Sequence, residues 1–326
     1  MAQCKQCYNP IDGRTTQITC AECKTPMHKD CTINYGGADY CDVCFTVAQE
    51  KPKSKYGEFE LPEFIRRTHI ETYRDCAYKF YQEVINGHTM PQNEYTQVGS
   101  DVQEIIEDAL KGEIGYAEAM SMKKAYFDKY DDELFQFKTK EEMRKRAKDS
   151  LETFFSEVLP QVEGIFAIEE TIFTNIGDDI PDVRITMDLI TEEDGELHMH
   201  DWKTGAVMVG QKLSTDLQAP LYIYSVLKRY NKPVKSFTFY YLQENKTRTF
   251  ERSEVNPDEY ICRVGRREYV INLTDAIREV KSIFSRIKKG AFDPDYTAKN
   301  RYFVQKMCHL QHMGLCCKDI DPWSAI

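Results

Sequence analysis

"HMHDWKTG", residues 198–205, decides how the rest of this chain is read. Leu197, His198, Met199 and His200 alternate apolar with polar, the period of a half-buried strand. Asp201, Trp202 and Lys203 continue it, and Thr204–Gly205 marks its end. Side chains two apart on a strand share a face, so Asp201 and Lys203 point together and Trp202 points away. One reading is an exposed ion pair, worth under about 1 kcal/mol. The other is a metal-binding carboxylate beside a lysine that activates water or stabilises developing charge.

The flanking segments decide between them. "GIFAIEETIF", 164–173, and "VRITMDLI", 183–190, are rich in β-branched residues and read as strands. Gly195 turns the chain within "TEEDGE". Three consecutive strands follow, a meander. If 183–190 pairs with 197–203 across Asp194–Gly195, Asp188 and Asp201 converge on one face. Two carboxylates and a lysine there form a hard-oxygen site suited to Mg²⁺ or Mn²⁺. Like charges held that close are costly without a cation.

Around these strands the period is helical. Residues 64–85 suit a helix pair or bent helix, with Tyr73, Ala77, Phe80, Tyr81 and Val84 at helical spacing. Residues 99–110 and 139–159 read as further helices. "TDLQAPLYIYSVLKRY", 215–230, reads as a helix capped by Thr215, with Gln218 and Tyr222 on one face. "SFTFYYL", 236–242, is a last strand.

This order of elements and these residues resemble the RecB-like branch of the PD-(D/E)XK nuclease superfamily over roughly residues 64–317. The resemblance rests on "ITMDLI" with Asp188, "HDWKTG" with Asp201 and Lys203, and "QAPLY" with Gln218 and Tyr222. It implies a restriction-endonuclease-like α/β core, αβββαβ with extra helices. It implies that Asp188 and Asp201 ligate Mg²⁺ or Mn²⁺, helped by the Trp202 carbonyl, and that Lys203 activates the attacking water. Gln218 and Tyr222 would brace the site or touch the DNA backbone. Glu169 or Glu170 matches a further family acid; their adjacency leaves the choice open, with Glu169 favoured. The dipeptide Pro181–Asp182 precedes the strand and reads as a decoy. Where the branch carries a metal-binding histidine, this chain has Gln103, whose carbonyl is a weaker ligand for a hard cation; Glu104 or Glu107 is the alternative. Many members of the branch also hold a [4Fe–4S] cluster. Cys76, in "CAYKFY", and Cys308, Cys316 and Cys317 supply the four thiolates it takes. A zinc using His309 or His312, or a metal-free remnant, is the alternative.

The first 46 residues form a separate module. Cys4/Cys7, Cys20/Cys23, His28/Cys31 and Cys41/Cys44 are four pairs, each separated by two residues. Eight ligands make two tetrahedral zinc sites, and ligation would supply the folding free energy of so short a segment. Their order resembles cross-braced PHD and RING-variant fingers. That resemblance places Cys4, Cys7, His28 and Cys31 on one zinc and Cys20, Cys23, Cys41 and Cys44 on the other. The module reads as a docking element for a protein partner or for nucleic acid. Residues 47–63 have linker composition, and 64–326 form the nuclease-like domain.

Bulk properties set the frame. The 326 residues suffice for about two domains. No apolar run approaches a membrane span, and "MAQCKQCYNP" lacks the pattern of a signal peptide. The 12 cysteines then point to metal or cluster ligation in a reducing compartment; the resemblance to RecB-like enzymes implies the cytoplasm of a bacterium or phage-infected cell. The net charge of −10 is uneven, since residues 228–306 carry 18 Lys+Arg against 10 Asp+Glu. That excess reads as a region for phosphate contact or as a solvated helical face. The expected activity is a metal-dependent DNA exonuclease acting at ends in recombination or repair. The alternatives are an endonuclease, or a catalytically weak DNA-binding adaptor that recruits a partner through its finger.

Overall fold

The computed structural model describes residues 4, 17–20, 24–35, 38–41, 56–89, 92–294 and 308–316. The chain divides into two compact units, residues 1–60 with 285–291, and residues 61–284 with 292–326.

In the first unit, β1 (Gln17–Thr19) pairs antiparallel with β2 (Pro26–His28), and β3 (Ile33–Tyr35) with β4 (Ala38–Tyr40). Strands of three residues bury little. The buried cluster here is Cys4, Cys20, Met27 and Cys41, with Cys31 packed against it. A core made largely of sulfur suits a metal-stabilised module better than a hydrophobic one.

The second unit opens on β5 (Phe64–Ile65), then α1 (Arg67–Asp75) and α2 (Ala77–Phe80), broken by extended backbone at Cys76. The helix expected from residue 64 thus starts at Arg67. Phe64 and Ile65 are drawn into parallel pairing with Asp182 and Val183, a long-range partner that no local period reveals. Next come α3 (Glu94–Leu110), α4 (Tyr116–Lys129) and α5 (Lys140–Thr153). Helix α3 starts five residues earlier than its apolar stripe suggests. Asn93 caps it, accepting from the N–H groups of Tyr95 and Thr96 at 3.0 and 3.2 Å. Helix α5 carries a full capping box between Thr139 and Glu142. Buried Glu94 accepts backbone N–H bonds from Phe137 and Lys138, both at 2.7 Å, which fixes the turn before α5.

The sheet follows. Strand β6 (Ile165–Thr174) pairs antiparallel with β7 (Asp182–Glu193), and β7 with β8 (Glu196–Lys203). The expected meander is present. Glu193 faces Glu196, so the loop is Asp194–Gly195, with φ of 51° and 82°. Two left-handed residues suit a tight hairpin and favour Asp-Gly. After the short turn α6 (Lys212–Thr215), α7 (Gln218–Tyr230) returns the chain to β9 (Val234–Tyr241), parallel to β8. Thr215 closes α6 and does not cap α7. The N-cap position is Leu217, and Asp216 before it accepts from the Gln218 N–H at 2.8 Å. Strands β10 (Lys246–Arg252), β11 (Glu259–Val264) and β12 (Arg267–Asn272) extend the sheet as hairpins. Helices α8 (Leu273–Lys288) and α9 (His309–His312) follow.

The eight-stranded sheet runs β12-β11-β10-β9-β8-β7-β5, with β6 also on β7. Leu189 and Trp202 lie in one buried cluster with Val102, Ile105 and Ile106 of α3, Ala119 and Phe127 of α4, Leu151 of α5, and Phe154 just beyond it. Trp202 meets Phe154 edge to face at 5.4 Å, a pair worth about 1 kcal/mol beyond its buried area. Trp202 therefore anchors β8 in the core on the side away from Asp201 and Lys203. Among the described residues no helix is long and apolar enough to cross a membrane.

Candidate active site

Strand β7 has two edges with different partners. Strand β6 follows one edge from Val183 to Thr191. The other edge is divided: β5 takes Asp182–Val183, β8 takes Leu189–Glu193, and residues 184–188 pair with neither. Asp188 lies at the fork where β8 peels away. The ladder ends at Leu189 opposite His200; one step further, the register sets Asp188 opposite Asp201. Opposed residues of an antiparallel pair point to one face. The Trp202 N–H donates to Asp188 Oδ2 at 2.7 Å, so a side chain takes the donor freed by the divergence.

Both carboxylates are sequestered, Asp188 at 7% exposure and Asp201 at 3%. Burial first, then the charge of Asp201, pushes the Asp188 carboxyl well above its ordinary range; Lys203 and the Trp202 N–H oppose the shift. Lys203 Nζ lies 2.6 Å from Asp201 Oδ2. Asp201 Oδ1 accepts from Gln218 Nε2. Buried Oδ2 receives no directed hydrogen bond despite the nearby ammonium. Tyr222, one turn beyond Gln218, feels the charges of Asp201 and Asp188, and its hydroxyl is shifted upward, chiefly by burial.

Glu169 joins the same cluster. It faces Asp188 across β6–β7, between the pairs Ile168–Leu189 and Glu170–Met187, and has φ +49°. That left-handed conformation is costly for a residue with a Cβ. Gln103 Nε2 reaches from α3 to Glu169 Oε1 at 2.7 Å and to Asp188 Oδ1 at 3.0 Å. Burial raises the Glu169 carboxyl and the Gln103 bond opposes it. Glu170 instead hydrogen-bonds Tyr230. Asp182 lies at the far end of β7 and accepts from Asn175 Nδ2 at 3.2 Å.

Gln103 lies beside both acids, with its amide nitrogen on Glu169 Oε1 and Asp188 Oδ1; its carbonyl oxygen is the atom that a hard cation would take. In this arrangement it holds the two acids. The donor set fits a hard divalent cation: converging buried carboxylate oxygens and a destabilised Asp188 that an added positive charge would relieve. Asp188, Asp201 and Glu169 are the residues that would hold it.

The remaining candidates divide by location. Ligand atoms of Cys4, His28 and Cys31 lie within 4.8 Å of one another, three of the four residues assigned to the first zinc. Cys20 and Cys41, from the second set, are both buried. Cys7, Cys23 and Cys44 lie outside the described residues. So does Cys317. Cys308 and Cys316 are buried with Leu310, against Tyr78, two residues beyond Cys76. Several cations of the basic segment 228–306 are paired. Arg252 bridges to Glu196, Lys232 to Glu192 at 2.5 Å, Lys246 to Glu244 at 2.8 Å, and Arg263 to Glu268 at 2.9 Å.

Sequence reasoning missed two groups that order this site, the Trp202 N–H and Asp216. The second had a signal, because an Asp side chain commonly accepts from the backbone N–H two residues on. The first had none, since a backbone donor becomes available only where strands part.

A mixed sheet wrapped by helices, with an acidic fork between its central strands, defines a restriction-endonuclease-like fold. The family model of the PD-(D/E)XK nuclease superfamily matches residues 67–313, and the chain belongs to that superfamily. No curated protein matches it. Among solved structures, one from Eubacterium rectale described as a "Putative exonuclease" is similar at 15% identity, over 74% of this chain and 88% of that one, with a TM-score of 0.45.

Proposed function

We propose that this chain is a Mg²⁺- or Mn²⁺-dependent deoxyribonuclease of the RecB-like branch, an exonuclease that processes DNA ends in recombination or repair. The observation that carries the reading is the pairing of Asp188 with Asp201 at the β7–β8 fork, with Lys203 Nζ 2.6 Å from Asp201. A bound divalent cation would polarise the scissile phosphate and stabilise the leaving oxygen. The chain's own groups do the rest. Gln218 and the Trp202 N–H fix the two aspartates. Lys203 orients the attacking water and offsets negative charge on the phosphate. Trp202, locked in the core, holds both neighbours in place. End preference follows the likeness of the motifs to RecB-like exonucleases. The N-terminal unit holds two zinc ions and recruits a protein partner or nucleic acid. Cys76, Cys308, Cys316 and Cys317 are the candidates for a [4Fe–4S] cluster.

One observation favours a second reading. Gln103 satisfies Glu169 and Asp188 with hydrogen bonds where the branch has a metal-binding histidine. That suits a DNA-binding adaptor with weak or no cleavage.

The test is a nuclease assay on full-length protein. End-labelled linear DNA and closed circles are incubated with Mg²⁺, Mn²⁺ or EDTA, with Lys203→Ala and Asp201→Ala in parallel. Metal-dependent loss of linear DNA alone, absent in both variants, is the expected result. Cutting of circles makes the enzyme an endonuclease. No cutting by folded protein makes it the adaptor. Variants as active as the wild type overturn the site.

A further inference from the structure

The unpaired stretch of β7 runs from Asp188 back to Arg184, and it leads to a second site. Arg184, Thr186 and Asp188 are alternate residues of one strand and so line one face. At about 3.3 Å per residue, Arg184 stands roughly 13 Å from Asp188 along the strand. Beside Arg184 the chain leaves β5 and enters α1, bringing Arg66, Arg67 and Thr68. With Tyr222 these residues line an open groove of about 340 Å³. Tyr222 also feels the charges of Asp201 and Asp188, and Arg184 and Thr186 share the strand face of Asp188, so this groove lies on the same face as the acidic fork.

The charges in this groove are unbalanced. Arg67 is paired, with Glu71 at 2.5 Å and Asp216 at 3.9 Å. Among the described residues, no carboxylate lies within the 4.0 Å of an ion pair from Arg66 or Arg184. Both guanidiniums instead lie over the Phe64 ring, at 5.3 and 5.1 Å. Phe64 is itself fixed by β5–β7 pairing and by edge-to-face contact with Phe173 at 5.9 Å. A phosphate placed in this groove would be attracted by both guanidiniums. Their planar forks match phosphate oxygens, and the Thr68, Thr186 and Tyr222 hydroxyls add donors. This contrasts with Lys232, Lys246, Arg252 and Arg263 in segment 228–306, each of which has a carboxylate partner.

We infer that Arg66, Arg184 and Arg67 form a phosphate seat that holds the substrate strand on one side of the scissile bond, so that the strand runs along β7 into the acidic fork. The inference rests on the nuclease reading and adds to it where the strand lies. The ligand is a phosphate group of nucleic acid, supplied by an internal phosphodiester or by a terminal 5′-phosphate.

The experiment is a binding titration of full-length protein in EDTA with a 3′-labelled single-stranded oligonucleotide, carrying a 5′-phosphate or a 5′-hydroxyl, over a range of salt. The double variant Arg66→Gln/Arg184→Gln is compared with wild type and with Arg263→Gln on the β11–β12 hairpin. For two lost phosphate contacts, the slope of log K against log salt should become shallower by about 1.4. Arg263→Gln should match wild type. In the cleavage assay KM should rise while kcat holds, and Arg→Lys at both positions should restore part of the binding. A wild-type preference for the 5′-phosphate that disappears in the double variant assigns the seat to a strand end. Equal weakening on both probes assigns it to an internal phosphodiester. Wild-type affinity and slope in a double variant of an enzyme that cleaves overturn the seat and leave the nuclease reading standing. A wild-type protein that neither binds nor cleaves removes both.

Discussion

The backbone N–H of Trp202 points at Asp188 Oδ2, 2.7 Å away, at the position where the β7–β8 ladder stops. A main-chain donor released by the parting strands is satisfied by an acid of the neighbouring strand. This bond holds Asp188 opposite Asp201 in spite of their repulsion. The fork and the acidic pair are therefore one structure.

That coupling makes a prediction about stability. Without metal, Asp188 is destabilised by burial and by Asp201. Asp188→Asn should melt at or above the wild-type temperature in EDTA. Mn²⁺ should raise the melting temperature of the wild type and not of the variant. Cleavage should fall by about 10³. Thermal melts in EDTA and Mn²⁺ check this, and metal-dependent stabilisation persisting in the variant would contradict the ligand assignment.

Gln103 should behave as a group that orders the acids. Gln103→Ala frees Glu169 and Asp188 from their shared donor. Loss of such an outer partner lowers metal affinity or activity about 10- to 100-fold. Isothermal titration with Mn²⁺, alongside the cleavage rate, measures it; unchanged values for both would show that the bonds have no functional weight.

The N-terminal unit should depend on zinc separately from the nuclease fold. Elemental analysis of the full chain should find two zinc ions. Cys31→Ala should remove about one of them, because it deletes one ligand of the Cys4–His28–Cys31 group. Strong chelation should then release the rest while the melting of the second unit stays in place. A full zinc complement in Cys31→Ala would break the assignment.

His200 should impose an acid limb on stability. It is bonded to Thr191 Oγ1 at 2.9 Å and to Tyr240 at 3.2 Å. Burial, aided by His198, lowers its ring from 6.5 to about 4. Between those values the unfolded chain binds a proton that the folded chain refuses. The contribution is complete above pH 6.5 and declines as pH falls, by up to about 3 kcal/mol near pH 4. Urea unfolding at several pH values should show this slope, and His200→Gln should flatten it.

Much of the site was legible because it is local. The strands 183–190 and 197–203, their Asp-Gly turn and the alternation within "HMHDWK" lie in about twenty residues, and a two-residue hairpin leaves the register no freedom. The placement of Asp188 against Asp201 follows from that register. The cysteine pairs were equally local. Charge counting over 228–306 gave a weaker guide, because it reads neither strand from helix nor paired cations from unpaired ones. Strands β10 to β12 occupy much of that segment.

What the sequence by itself determined is thus the class of fold, the acidic hairpin and the lysine beside it, since their periods and turn chemistry act over a few residues. Tertiary structure decided the rest. Only long-range packing brings Gln103 to Asp188, sets Phe64 beside Asp182 and gathers Arg66, Arg184 and Tyr222 around one groove. Each of these contacts joins segments whose local patterns are independent of one another. Their meeting is set by burial of the sheet and helices against a common core, which no single stretch of chain encodes.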